Sequence, residues 1–206
     1  MAKASPPAPG SYDLVCNGFQ NATQMMSYNG KIYTICGIAT GCGGGGGLYE
    51  IDPSTGNFER IGDGNWRNAV GMVGFGNGIF LIAGRKHGCK GSGGLWRIDL
   101  NTKTHAEVQK NLSCSHKWAN VTHMKLFGEN LYVIPGNAHG GCSGWGHLSK
   151  INLVTGEKEI LETSAGSSPR RNAIGLVQYG GSMYTIRGRK YGCQGTGGLW
   201  HTNVTT

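Results

Sequence analysis

The segment GRKHGCKGSGGLWR at residues 84–97 returns as GRKYGCQGTGGLWH at residues 188–201, and the match extends beyond it. Residues 67–96 and 171–200 align at a fixed offset of 104, with 17 of 30 positions identical. Two more diverged copies begin at Tyr28 (YNGKIYTICGIATGCGGGGGLYEIDPSTGNFERI) and Phe127 (FGENLYVIPGNAHGGCSGWGHLSKINLVTGEKEI). Cys42, Cys89, Cys142 and Cys193 mark the same place in each copy, at intervals of 47, 53 and 51 residues. A unit of about fifty residues cannot bury its apolar face alone, so four of them must stack on one another.

Each copy has the same internal grammar. An apolar strand such as NAVGMVGF runs into a Gly/Asn turn and returns as IFLIAG, IYTICG, LYVIPG or MYTIRG, a hairpin signal. A Gly/Cys segment follows, then a third strand (LYEID, LWRID, LSKIN, LWHTN), a turn and a fourth (FERI, AEVQ, KEIL). Glycine at 38 of 206 residues without a three-residue period fits tight turns between short strands rather than collagen. The expectation is an all-β, four-bladed β-propeller with four antiparallel strands per blade. The blades fall at about 20–62, 67–112, 118–163 and 171–206, with a flexible tail at 1–10. The last copy lacks a fourth strand, and SYDLVC near the chain start is a surplus one, so residues 11–16 are expected to complete blade four and close the ring.

The repeated blades and duplicated surface segments give the chain an architecture that resembles the small sugar-binding propellers of the tachylectin and tectonin types. The resemblance covers nearly the whole chain at the level of architecture and includes no residue-level binding motif. It implies multivalent lectin activity without locating the sites.

Seven cysteines and four Asn-X-Ser/Thr sequons, beginning at Asn21, Asn111, Asn120 and Asn203, point to an extracellular, oxidising setting. The opening residues lack the apolar centre of a signal peptide, and no apolar run is long enough to cross a bilayer. Blade topology brings Cys89 near Cys114 and, through the closing strand, Cys16 near Cys193; these two disulfides are expected. Cys36, Cys42 and Cys142 remain, with a local Cys36–Cys42 bridge as one option. Metal is not expected, because the cysteines recur at blade spacing rather than in close ligand pairs. No organic cofactor is implied.

The Gly/Cys segment shares its end of each blade with the entry to the innermost strand, where WRNAV, WANVT, RRNAI and QNATQ recur. The candidate ligand-binding residues are therefore Trp66, Arg67, Asn68, Arg85, Lys86 and His87 in blade two, and Trp118, Asn120, His139 and Trp145 in blade three. Blade four adds Arg171, Asn172, Arg189, Lys190 and Tyr191. Amides and guanidinium forks suit hydroxyl, carboxylate or sulfate groups, and flat rings suit sugar faces. The bland alternatives are that the repeated Asn, including Asn21, holds the strand entry and that the cations are solvated surface. Trp96 and Trp200 are expected to pack between blades; Tyr33, Phe80, Tyr132 and Tyr184 share a strand-two position and are expected in the core.

A formal charge of +8 favours anionic partners such as acidic glycans. Nucleic acid is disfavoured by the lack of a dense Lys/Arg run. Catalysis is disfavoured too, since the loop end carries Asp63 and no carboxylate pair, and His123 on an innermost strand has no counterpart in other blades. The expected function is a carbohydrate-binding protein whose shallow repeated sites favour acidic or amino-sugar glycans. A structural, adhesive or protein-interaction propeller is the alternative, and a propeller hydrolase or lyase stands behind both.

Overall fold

The computed structural model describes residues 9–10, 13–19, 22–36, 46–66, 69–83, 94–109, 121–135, 148–161, 173–187 and 198–205. These form fifteen strands in four antiparallel sheets, with no helix among the described residues. Sheet one holds β1 (Ala22–Tyr28), β2 (Lys31–Cys36), β3 (Leu48–Ile51) and β4 (Phe58–Ile61); sheet two holds β5 (Ala69–Phe75), β6 (Gly78–Ala83), β7 (Leu95–Asp99) and β8 (His105–Gln109). Sheet three holds β9 (Val121–Phe127), β10 (Asn130–Pro135), β11 (Ser149–Asn152) and β12 (Lys158–Ile160). Sheet four holds only β13 (Ala173–Tyr179), β14 (Ser182–Arg187) and β15 (Leu199–Asn203). Each sheet follows chain order, as the repeat grammar predicts.

The first hairpins turn on two residues. Asn29 and Gly30 (φ 47° and 73°) and Gly180 and Gly181 (φ 51° and 77°) take the left-handed values that match the twist of paired strands. The innermost strands are neighbours in the order β1, β5, β9, β13, and no comparable contact joins β13 back to β1 among the described residues. At the hairpin end Tyr28 Oη donates a 2.6 Å hydrogen bond to the Gly76 carbonyl, so the tips of sheets one and two lie side by side.

Strand alternation supplies each sheet with two apolar faces. One face of sheet one (Tyr33, Ile35, Leu48) packs on the opposite face of sheet two (Ile79, Leu81, Ile98). Sheet two repeats the pattern with Phe80, Ile82 and Leu95 against Leu131, Val133 and Ile151 of sheet three. Tyr132, Ile134 and Leu148 of sheet three then meet Leu176 and Met183 of sheet four. Tyr33, Phe80 and Tyr132 are buried as expected, each worth roughly 1.5–3 kcal/mol of transfer free energy, while Tyr184 is half-buried.

Residues 13–19 form no strand and do not pair with β15, which corrects the expected closing strand (residues 11–16) over 13–16; residues 11 and 12 lie outside the described residues. They lie instead along sheet one: Phe19 packs edge-on against Tyr49 and Phe58 at centroid distances of 5.8 and 5.0 Å, and the Val15 carbonyl rests on Gly56. Cys16 is a free thiol, so the expected Cys16–Cys193 disulfide is not formed; aromatic packing draws this segment onto sheet one rather than towards β15. Cys36 is disulfide-bonded to a partner outside the described residues. Cys89 and Cys114 both lie outside them, as does most of the tail at 1–10.

Candidate functional site

In all four first hairpins the first residue of the inner strand pairs with the last residue of the second: Ala22 with Cys36, Ala69 with Ala83, Val121 with Pro135, Ala173 with Arg187. The ends from which the Gly/Cys segments depart therefore coincide with the inner-strand entries in every unit. A register shift falls at this end each time, between Ala22 and Gln24, Ala69 and Met72, Ile134 and Pro135, and Ala173 and Leu176. Such irregularities terminate pairing and re-aim side chains at sheet rims.

Of the residues that the sequence nominates there, Arg67, Asn68, Arg85, Lys86, His87, Trp118, Asn120, His139, Trp145, Arg171, Asn172, Arg189, Lys190 and Tyr191 lie outside the described residues. Trp66 is described, and it is not a ligand platform. Its ring is 4 % exposed in the core between sheets one and two, 5.6 Å from Trp96 and 5.1 Å from His105. Gly64 permits this, since a Cβ there would stand 2.4 Å from the indole. Trp96 packs between sheets as expected. Trp200, its counterpart, is exposed: among the described residues no fourth strand pairs with β15, and none equivalent to His105 covers it. Asp63 is solvent-exposed, 3.6 Å from His105 Nδ1.

The opposite, hairpin end carries a repeat that the sequence reading did not single out. Asp52, Asp99, Asn152 and Asn203 stand at one equivalent position at the end of the third strand, and each side-chain Oδ1 accepts hydrogen bonds from the residues two or three further on. The signal was an Asp or Asn followed by Thr in DPST, DLNT, NLVT and NVT. Lys31 holds the Asp52 carboxyl well below the usual carboxylate range through a 2.6 Å contact, helped by the Ser54 hydroxyl and amide. The Thr102 amide first, then Asn101 and Arg97, lower Asp99 likewise.

Beside this turn two equivalent clefts open, in sheets one and three. The first, about 300 Å³, is lined by Lys31, Glu50, Asp52, Thr55, Asn57, Phe58 and Glu59. Its polar groups are largely paired among themselves: Lys31 with Asp52, Tyr33 Oη donating to Glu50 Oε2 at 2.8 Å, and Lys103 of sheet two with Glu59 at 2.5 Å. Burial, then the Glu50 hydrogen bond, pushes the Tyr33 hydroxyl far above its ordinary pKa. The second cleft, about 450 Å³, is lined by Asn130, Lys150, Asn152, Glu157, Lys158 and Glu159. Lys150 Nζ stands 3.2 Å from Glu159, but the buried Asn130 Oδ1 and Tyr132 hydroxyl have no hydrogen-bond partner among the described residues.

No family model matches the chain, and no curated protein matches it. Solved structures do. The computationally designed Ika4 protein aligns over 95 % of this chain and 100 % of its own, with a TM-score of 0.57 at 12 % identity. The fold is propeller-like. The extracellular domain of BT4673 from Bacteroides thetaiotaomicron aligns over 90 % of this chain and 22 % of that one (TM-score 0.56, 12 % identity). An auxiliary nutrient binding protein from the same organism aligns over 82 % and 36 % (TM-score 0.54, 11 % identity). The chain thus spans well under half the length of these two natural relatives in shape, and at such identities the likeness speaks to the fold alone.

Proposed function

We propose that this chain is a multivalent carbohydrate-binding protein on a four-bladed ring, acting by binding rather than catalysis, outside the cell. The observation that carries this reading is the coincidence, in all four sheets, of the inner-strand entry with the departure of the Gly/Cys segment. Four equivalent rims, two of them extended by near-identical cationic segments at 84–97 and 188–201, suit acidic or amino-sugar glycans. Individually weak sites on one rigid body gain avidity on a glycan-covered surface.

The ring is supported by an uncovered apolar face on sheet four and an apolar face on sheet one. Val177, Tyr179, Ile186 and Leu199 of sheet four are exposed, whereas their counterparts in sheet two, Val73, Phe75, Ile82 and Leu95, pack against sheet three. Sheet one offers the matching face with Ile32, Thr34 and Ile51, partly covered by residues 13–19. An adhesive or protein-interaction role is the second reading, favoured by that same uncovered face of sheet four, since exposed apolar patches mark interaction sites.

A glycan array at low and moderate salt, run on the wild type and on the Arg85→Ala/Arg189→Ala variant, tests the reading. Saturable binding that free sugar competes and the variant weakens is expected. Binding to every polyanion alike, abolished by moderate salt, would leave only electrostatics.

A further inference from the structure

Asp52, Asp99, Asn152 and Asn203 hold one repeat position, but the last stands in different surroundings. Asp52, Asp99 and Asn152 are half-buried, because the chain turns back beside them: their amides donate to the carbonyls of Asn57, Thr104 and Glu157 as each fourth strand approaches. No fourth strand follows β15 among the described residues, and Asn203 is exposed. Its place is nevertheless fixed. The Val204 amide donates a 3.0 Å hydrogen bond to the Gly181 carbonyl, and Val204 packs against the core between sheets three and four. Asn203 Oδ1 accepts from the Thr205 amide at 3.0 Å and from the Thr205 hydroxyl at 2.7 Å. Both bonds use the oxygen, which leaves the side-chain nitrogen Nδ2 uncommitted among the described residues.

Asn203, Val204 and Thr205 are an Asn-X-Thr acceptor sequence with an exposed amide nitrogen and a hydroxyl two residues on. The equivalent positions cannot serve in the same way: Asp52 and Asp99 carry no amide, and Asn152 has Val154 where the hydroxyl residue would stand. We propose that Asn203 is an N-glycosylation site, whose Nδ2 takes an oligosaccharide from a polyprenyl diphosphate donor. The Nδ2–C1 bond forms as the C1–O bond to the diphosphate breaks; the amide gives up one proton and the lipid diphosphate leaves. The site rests on the extracellular part of the reading above and adds to it where the chain's own sugar stands. Asn203 pairs with Ser182 at the hairpin end of sheet four, opposite the pairing of Ala173 with Arg187 at the inner-strand entry. A bulky, hydrated glycan at that end leaves the proposed sugar-binding rims clear.

The test is peptide mapping by mass spectrometry of the full chain, secreted from a eukaryotic cell behind a cleavable leader, before and after treatment with a peptide N-glycosidase. Tryptic cleavage after Lys190 gives residues 191–206, in which Asn203 is the sole sequon asparagine. That peptide is expected to carry a glycan and to hold Asp at position 203 once the glycan is released. Asn203→Asp should lose the glycan and keep the fold, since Asp52 and Asp99 make the same turn with a carboxylate. Thr205→Ala should lose the glycan as well, and array binding that depends on Arg85 and Arg189 should be unchanged in Asn203→Asp. Asn203 bare while Asn21, Asn111 or Asn120 is modified overturns the site and leaves the extracellular reading standing. All four bare in a secreted chain overturns the site and removes the sequon support for that reading. A glycan on Asn203 in a chain that binds nothing on the array upholds the site while the lectin reading falls.

Discussion

Gly56 lies so close to Val15 that a Cβ there would stand 2.2 Å from the Val15 carbonyl oxygen. The contact has counterparts between other sheets. Gln109, at the end of β8, donates a 3.0 Å hydrogen bond to the Gly156 carbonyl, and a Cβ at Gly62, just past β4, would stand 2.5 Å from the Lys103 carbonyl. Gly56, Lys103 and Gly156 are one repeat position, with φ of 72°, 56° and 77°. Residues 13–19 thus take against sheet one the place that a fourth strand takes against the next sheet, without pairing to β15.

Gly56→Ala combines left-handed strain with this clash, whereas Gly156→Ala meets open space and carries the strain alone. We expect about 1 kcal/mol of destabilisation for Gly156→Ala and at least twice that for Gly56→Ala. Urea unfolding measures both, and faster limited proteolysis within residues 13–19 should accompany Gly56→Ala only.

Trp66→Ala should cost about 3–5 kcal/mol, because the ring fills the core between sheets one and two rather than a binding surface. Thermal unfolding reads this. Trp66→Phe, which keeps most of the packing, should leave glycan affinity unchanged.

Leu199→Ser distinguishes an open edge from a closed ring. Leu199 is 66 % exposed on the free face of sheet four, and its counterpart Leu95 is buried. If sheet four docks on sheet one, the substitution lowers stability by roughly 2 kcal/mol; an effect within 0.5 kcal/mol argues against closure.

Asp52 and Asp99 have depressed folded-state pKa values, so the folded state binds fewer protons than the unfolded one. Their contribution is present above the ordinary aspartate pKa and is lost as pH falls below it towards the folded values. Asp52→Asn should flatten stability below about pH 5, measured by denaturant unfolding across pH 2–7.

Tyr33 works in the opposite direction. Its raised pKa favours the neutral hydroxyl, so stability holds below the ordinary tyrosine pKa and falls as pH climbs past about 10. Tyr33→Phe should remove part of that alkaline loss and cost about 1 kcal/mol at neutral pH for the Glu50 bond. Unfolding curves from pH 7 to 11 test it.

The repeat period, alternation and Asn/Gly turns determine the strands, their chain-order sheets and the burial of Tyr33, Phe80 and Tyr132, because these follow from local geometry and a period of two. The Asx turns at Asp52, Asp99, Asn152 and Asn203 were equally local and legible in their Asp/Asn–Thr spacing. What sequence could not decide depended on competition between distant surfaces. Phe19 finds Tyr49 and Phe58, which draws the chain start to sheet one and leaves Cys16 unpaired; Trp66 finds Trp96 and His105, which turns a nominated sugar platform into core. The orphaned Tyr132 hydroxyl belongs to the same class, since only cross-strand register reveals that Lys150 stands where Glu50 stands in the first copy. Local periodicity writes the strands, and the partner each face meets is settled by which apolar and polar surfaces are left over once the sheets stack.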